Sequence, residues 1–145
     1  HGLEYGDNFL SVLIANSADE MAGFLRKAGF INAEVGYIDH KKSLVPQELH
    51  NNYAASVYLG DLLVTCYSLH SRNRTFGNMI GKGYSVKTAQ LEMSMVADGY
   101  YASQCMFEIN KKVMADMPIA GTVYEILWNG MVAAEGFQKI EIDLV

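Results

Sequence analysis

The sequence has little of what staples, spans or charges a chain. Among 145 residues there are two cysteines and two prolines. Cys66 and Cys105 each sit inside an apolar segment, with no Cys-x-x-Cys and no paired-histidine spacing. That excludes a disulfide framework and points to reduced, buried thiols in a cytosolic protein. The four histidines show no ligand spacing, so no metal site is expected. No apolar run approaches the roughly 20 residues of a membrane span, and no signal peptide is visible. Acidic residues outnumber basic ones, 16 to 11, for a net charge of -5 and a pI of about 5.3. No basic stripe is available to meet a phosphate backbone, which argues against nucleic acid as a partner. No Gly-x-Gly-x-x-Gly occurs, and no strand–helix–strand alternation surrounds the glycines, so a dinucleotide-binding loop is excluded from this chain.

What remains is a globular sequence, half apolar and 19% charged, long enough for one domain with a real core. Its periodicity is helical. Asp7 can cap a first helix running to about Ala28, with Leu10, Leu13, Ile14, Ser17, Ala18, Met21 and Leu25 on one face and Gly29 as the stop. Residues 31–44, with Asp39-His40-Lys41-Lys42, read as a loop or a short helix end. Pro46 opens a helix carrying Leu49, Tyr53, Ser56 and Val57. A short buried helix follows over Asp61 to Cys66, then a loop, then a helix from Ser71 to about Ile80 that ends at Gly81-Lys82-Gly83. Ser85 caps a short helix through Glu92. A second long helix spans about Val96 to Asp116, with Val96, Ala102, Cys105, Met106, Ile109 and Val113 in one stripe and Pro118 just beyond its end. Helices near Ile119–Trp128 and Val132–Phe137 complete the set. Ile140 to Val145 alternates apolar and acidic residues and reads as a strand or a tail. Trp128 could pack the domain or a subunit contact. Six to eight helices and almost no strand define an all-α, multi-helical domain over residues 1–145.

The chemistry concentrates between Leu59 and Arg74. Asp61 suits the N-terminal end of a short helix. Ser71 is a candidate N-cap for the next, whose free amides form an anion site by default. Arg72 adds a planar fork suited to phosphate, and Asn73 adds donors and an acceptor. The stretch looks able to grip a small polyol phosphate. The same residues also suit an ordinary capped, solvated helix start, and spacing does not choose between the two.

Leu59-Gly60-Asp61-Leu62, Thr65-Cys66 and Ser71-Arg72-Asn73-Arg74 with Phe76-Gly77 resemble the substrate-site signature of NAD(P)-dependent glycerol-3-phosphate dehydrogenases of the bacterial soluble type. Gly2-Leu3 and Gly6-Asp7-Asn8, Gly81-Lys82-Gly83, Met117-Pro118-Ile119, Val123-Tyr124 and Asn129-Gly130 extend the likeness over nearly the whole chain. The resemblance implies the helical C-terminal domain of a glycerol-3-phosphate dehydrogenase, of the 6-phosphogluconate dehydrogenase-like type, without its N-terminal Rossmann domain. The chain starts at His1 and enters at once into a family motif, as a fragment of something longer would.

By the same resemblance, Asp61 contacts the glycerol hydroxyls or the catalytic lysine, and Thr65 shares its helix face. Ser71, Arg72 and Asn73 hold the substrate phosphate. Arg72, Val96 and Asp98 meet the cofactor, NAD or NADP, with Asp98 standing where the family has Glu. The implied reaction interconverts sn-glycerol 3-phosphate and dihydroxyacetone phosphate in the cytoplasm and supplies phospholipid synthesis. The implied partners are the chain's own Rossmann domain and, as is common in the family, a second copy in a homodimer. The family's lysine base falls before His1, so this chain holds no catalytic residue and alone should not turn over. Departures include Ala15-Asn16-Ser17, which lacks the family's arginine, and Tyr100 to Gln104, which lacks its Arg and Lys. Two other readings stand beside this one: a related hydroxy-acid or ketopantoate-type dehydrogenase, and a binding or assembly module with a decayed site.

Overall fold

A computed structural model describes residues 1–30 and 59–144. Among the described residues there are seven helices and no strand: α1 (Asp7–Lys27), α2 (Gly60–Tyr67), α3 (Arg72–Gly81), α4 (Val86–Glu92), α5 (Asp98–Val113), α6 (Pro118–Trp128) and α7 (Ala133–Asp143). The readings made for residues 31–44 and for the helix opened by Pro46 lie outside the described residues.

The core follows from the apolar faces of α3 to α7. Phe76 and Ile80 from α3, Ala89 from α4, Ala97 before α5 and Ile126 from α6 are buried together, and Tyr100, Leu127 and Phe137 pack against them. The helix at α1 buries the expected face at Ile14 and Ala18, and extends it through Ala22 and Phe24. Its predicted stop is met: Gly29 takes φ +94°, its N–H donates to the Arg26 carbonyl at 3.1 Å, and the Phe30 N–H reaches back to Leu25 at 2.9 Å. Only a residue without a Cβ adopts that conformation freely. Glycine serves differently where Gly2 crosses the end of α3. A Cβ on Gly81 would come within 2.9 Å of Gly2 backbone, and one on Gly2 within 2.4 Å of the Asn78 carbonyl oxygen, so the two segments meet backbone to backbone.

Several expectations need correction. Asp7 is not the cap of α1; Gly6 holds that position with no side-chain bond, and Asp7 sits in the first turn, where its charge suits the helix dipole. The helix α2 buries none of its residues, and Val64 is 69% exposed. It packs on α1 and α3 along one narrow side, so its apolar run is not a core run. The stripe read for α5 holds only in part. Met106 and Val113 turn inward as expected, but Val96, Ala102, Cys105 and Ile109 are exposed, and Ser103, Phe107 and Asn110 turn inward in their place. Aromatic stacking sets that rotation: Phe107 lies on Tyr124 with ring centroids 3.7 Å apart, and Tyr100 lies on Trp128 at 4.3 Å. Trp128 therefore packs this domain, and its Nε1–H donates to Ser103 Oγ at 3.1 Å. Cys105 is exposed and Cys66 half-buried, so neither thiol is the core residue expected.

The helix α5 also stops earlier than periodicity predicts. Met114 turns left-handed at φ 58°, and the Asn110 side chain pairs with the Ala115 backbone in both directions at 2.9 Å, which closes the turn. Lys27 Nζ donates to the Met114 carbonyl from α1. Pro118 stands beyond the end of α5 as expected and is also the first residue of α6, a position where its missing N–H costs nothing. Finally, residues 140–143 are the last turn of α7, not a strand. Gly136 and Ile140 are buried four residues apart, and this helical period outweighs the short apolar–acidic alternation.

Candidate functional site

Two helix starts and one cavity make the site. Ser71 caps α3 as its type and position predict: its Oγ accepts the Arg74 N–H at 3.2 Å. The amides of Arg72 and Asn73, in the first turn, have no carbonyl within the helix to meet. Both of their side chains reach across to the start of α5. Arg72 Nη2 lies 3.1 Å from Asp98 Oδ2, with Arg72 43% and Asp98 78% exposed. Asn73 Oδ1 accepts the Gly99 N–H at 2.9 Å. A Cβ on Gly99 would stand 3.0 Å from that same oxygen, so the close approach depends on glycine there. The next residue, Tyr100, is held by the stack on Trp128 and by an edge contact with Phe76 at 5.9 Å. The core thus fixes where α5 begins, and α5 in turn fixes two of the first three residues of α3.

Beneath these starts lies a cavity of about 410 Å³, within the size range of small-molecule pockets, roughly 300–1,000 Å³. Its walls are largely apolar, with Leu3, Phe9, Leu13, Phe76 and Leu127 among them. Its polar lining includes Thr65 and Cys66 on α2, Asn73, Arg74 and Asn78 on α3, and His1 and Tyr5 before α1. Burial pushes the Cys66 thiol up from its ordinary value, and the neighbouring Arg74 charge opposes this. The Nε of Arg74 is buried and has no hydrogen-bond partner. Among the described residues, no group of three or more His, Cys, Asp or Glu side chains could hold a metal ion.

A cavity lined by a hydroxyl from α2 and an amide and a guanidinium from α3, beside a helix start with two free amides, suits a small anionic molecule. The family model described as NAD-dependent glycerol-3-phosphate dehydrogenase C-terminus matches residues 1–138. The chain belongs to that family. It is 34% identical over 134 residues to the glycerol-3-phosphate dehydrogenase [NAD(P)+] of Chlorobium chlorochromatii, covering 92% of this chain and 35% of the relative. The proteins of the same name from Bacillus cytotoxicus and Bacillus thuringiensis are each 33% identical over 129 residues, covering 89% of this chain and 33% of theirs. The chain spans about a third of the length of the curated relatives it matches.

Within this glycerol-3-phosphate dehydrogenase domain, the structure gathers some of the signature residues and leaves others apart. Thr65 and Asn73 line one cavity. Arg72 and Asp98 are ion-paired outside the cavity lining, each next in sequence to a lining residue, Asn73 and Gly99, and Ser71 caps the helix that carries Arg72 and Asn73. Asp61 is exposed in the first turn of α2, outside the cavity lining, one turn before Thr65. Val96 is 53% exposed and also outside it. Asn16, where the family arginine is missing, donates to the Val12 carbonyl at 2.9 Å and borders a separate hollow with Glu20 and Asp116. Arg74 belongs to the Ser71-Arg72-Asn73-Arg74 motif but has no role in the motif's resemblance. Spacing along α3 does not mark it, because Asn73, Arg74, Phe76 and Gly77 all line the cavity.

Proposed function

We propose that this chain is the substrate-binding domain of a longer enzyme that interconverts sn-glycerol 3-phosphate and dihydroxyacetone phosphate with NAD(P)(H) and feeds phospholipid synthesis in the cytoplasm. One observation carries the reading: the capped start of α3 presents Arg72 and Asn73, braced on Asp98 and Gly99, next to a cavity that Thr65 and Asn73 line. Ser71, Arg72 and Asn73 hold the phosphate, the first through its hydroxyl hydrogen and the other two through side chains and free amides. Asn73 Oδ1 is already engaged by Gly99, so its Nδ2 is the group left for substrate. Thr65 supplies a hydroxyl to the wall, and Asp61 reaches the glycerol hydroxyls or the lysine base from the edge of α2.

The fit to a nicotinamide cofactor is that of an edge. The exposed Arg72–Asp98 pair can meet a nucleotide presented from outside, with Val96 alongside. The chain offers no glycine-rich loop for the pyrophosphate, and a Rossmann domain preceding His1 fills that role. When bound, the cofactor supplies the hydride acceptor. This chain's residues anchor the phosphate and orient the carbinol carbon, while a lysine upstream of Gly2 takes the hydroxyl proton. Pairing of two full-length subunits completes the proposal.

The test is Arg72→Ala in the full-length protein, assayed with dihydroxyacetone phosphate and NADH or NADPH. The expected loss in kcat/KM is at least about 100-fold, near 2.7 kcal/mol of transition-state binding. Unchanged turnover and substrate affinity would overturn the reading.

A further inference from the structure

Most arginine nitrogens that lose contact with water gain an acceptor. The Nε of Arg74 has not. This nitrogen is shielded from solvent and finds no partner, and among the described residues no carboxylate pairs with the Arg74 guanidinium. An unsatisfied donor of this kind costs stability unless something outside the folded chain satisfies it. The residue is not misplaced by a loose backbone. Its N–H is held by Ser71 Oγ at 3.2 Å, in the first turn of a helix whose next inward residue, Phe76, is a core side chain. Arg74 lines the same cavity as Thr65, Cys66 and Asn73, and its charge is felt at the Cys66 sulfur, which places the guanidinium beside the wall of α2. Arg72, by contrast, already has an acceptor in Asp98 and stands in solvent.

We propose that Arg74 is the inner anion anchor of the site and a specificity-determining residue, whose guanidinium binds the phosphate monoester of the substrate from inside the cavity while Arg72 meets it from outside. This deepens the reading given under Proposed function and rests on it. A fork of N–H donors pairs with two oxygens of a phosphoryl group, geometry that a lysine point charge cannot copy. In a cavity with mainly apolar walls the pairing is screened little by water. A phosphate-free triose brings no anion to the Arg74 guanidinium, so the inner arginine selects for the phosphorylated compound.

The physical signature separates this role from a structural one. An arginine kept for folding loses stability when replaced. One kept for a ligand against its own desolvation loses nothing. The experiment compares wild type, Arg74→Met and Arg74→Lys in the full-length protein. Thermal unfolding is followed with and without inorganic phosphate, and kcat/KM is measured for dihydroxyacetone phosphate and for dihydroxyacetone.

Arg74→Met should unfold at the same or a higher temperature than wild type and should lose the stabilisation that inorganic phosphate gives wild type. Its preference for the phosphorylated over the phosphate-free substrate should fall tenfold or more, with Arg74→Lys falling between the two. A methionine variant that melts lower and keeps wild-type preference overturns the proposal and makes Arg74 a structural residue. If the methionine variant does not fold, the lysine variant decides, and an unchanged preference there overturns it equally. Failure of the wider reading looks different, because wild type itself would then fail to reduce dihydroxyacetone phosphate.

Discussion

The start of α6 and the start of α3 both face electronegative neighbours with free amides, and they are finished in opposite ways. At α6 the anion is built in. Glu20 on α1 reaches across the fold, and its two carboxylate oxygens accept the Ile119 and Ala120 N–H groups at 2.8 Å each. At α3 the chain supplies a serine hydroxyl for the Arg74 amide and leaves the amides of Arg72 and Asn73 unmet within the helix. A helix start completed from within is a fastener. One left incomplete, beside a cavity, is under our proposal a receptor. The same helix physics serves both, and what differs is who brings the negative charge.

The contrast can be broken from the fastened side first. Glu20→Ala strips both acceptors from half-buried amides, and chemical denaturation should show a loss of about 2–3 kcal/mol, with the site's phosphate affinity little changed in the folded fraction. A loss below about 0.5 kcal/mol would mean that Glu20 is decoration and the contrast empty. The receptor side should respond less in stability and more in binding. Ser71→Ala removes one cap and should cost about 1 kcal/mol of unfolding free energy, while inorganic phosphate binding, read by calorimetry, weakens as well. Binding untouched by Ser71→Ala would place the anion elsewhere.

The smallest effect is in pH. Burial pushes the Glu20 carboxyl above its ordinary value and Asp116 adds to this, against the pull of the Ala120 and Ile119 amides. The folded state therefore holds that proton more readily than the unfolded chain. The linked stability is complete below the ordinary carboxylate value of 4.5 and is lost as pH rises through the folded value. Wild type should lose ground to Glu20→Gln as pH climbs from 4.5, in parallel denaturation curves; a gap that widens with pH would reverse the assignment.

The sequence carried much of this, unevenly. The starts at Ser71 and Ser85 were legible because cap residues act locally, and the end of α1 because Gly29 does; the cap of α1 itself, Gly6, was not. The rotation of α5 was not. Ala102, Cys105 and Ile109 form a plausible apolar stripe, and only the stacks of Tyr100 on Trp128 and Phe107 on Tyr124 show which side faces in. The Met114 turn was hidden for a similar reason, since nothing local marks a methionine for a left-handed backbone that Asn110 and Lys27 hold in place. At the site, the Ser71 cap lay within reach of motif spacing, whereas the pairing of Arg72 with Asp98, on another helix, did not. The inward turn of Arg74 and the exposure of Asp61 depend on how α2 and α3 are rotated about the cavity. Spacing along one helix does not report that.

The Asn73–Gly99 hydrogen bond has one more consequence. The proton on the Gly99 nitrogen is held by a side chain that also borders the cavity. Its exchange with deuterium is therefore a gauge of the pocket: a guest that draws Asn73 away frees that proton, and one that settles Asn73 in place retains it. A single amide, twenty-six positions downstream of its acceptor, reports occupancy without any label.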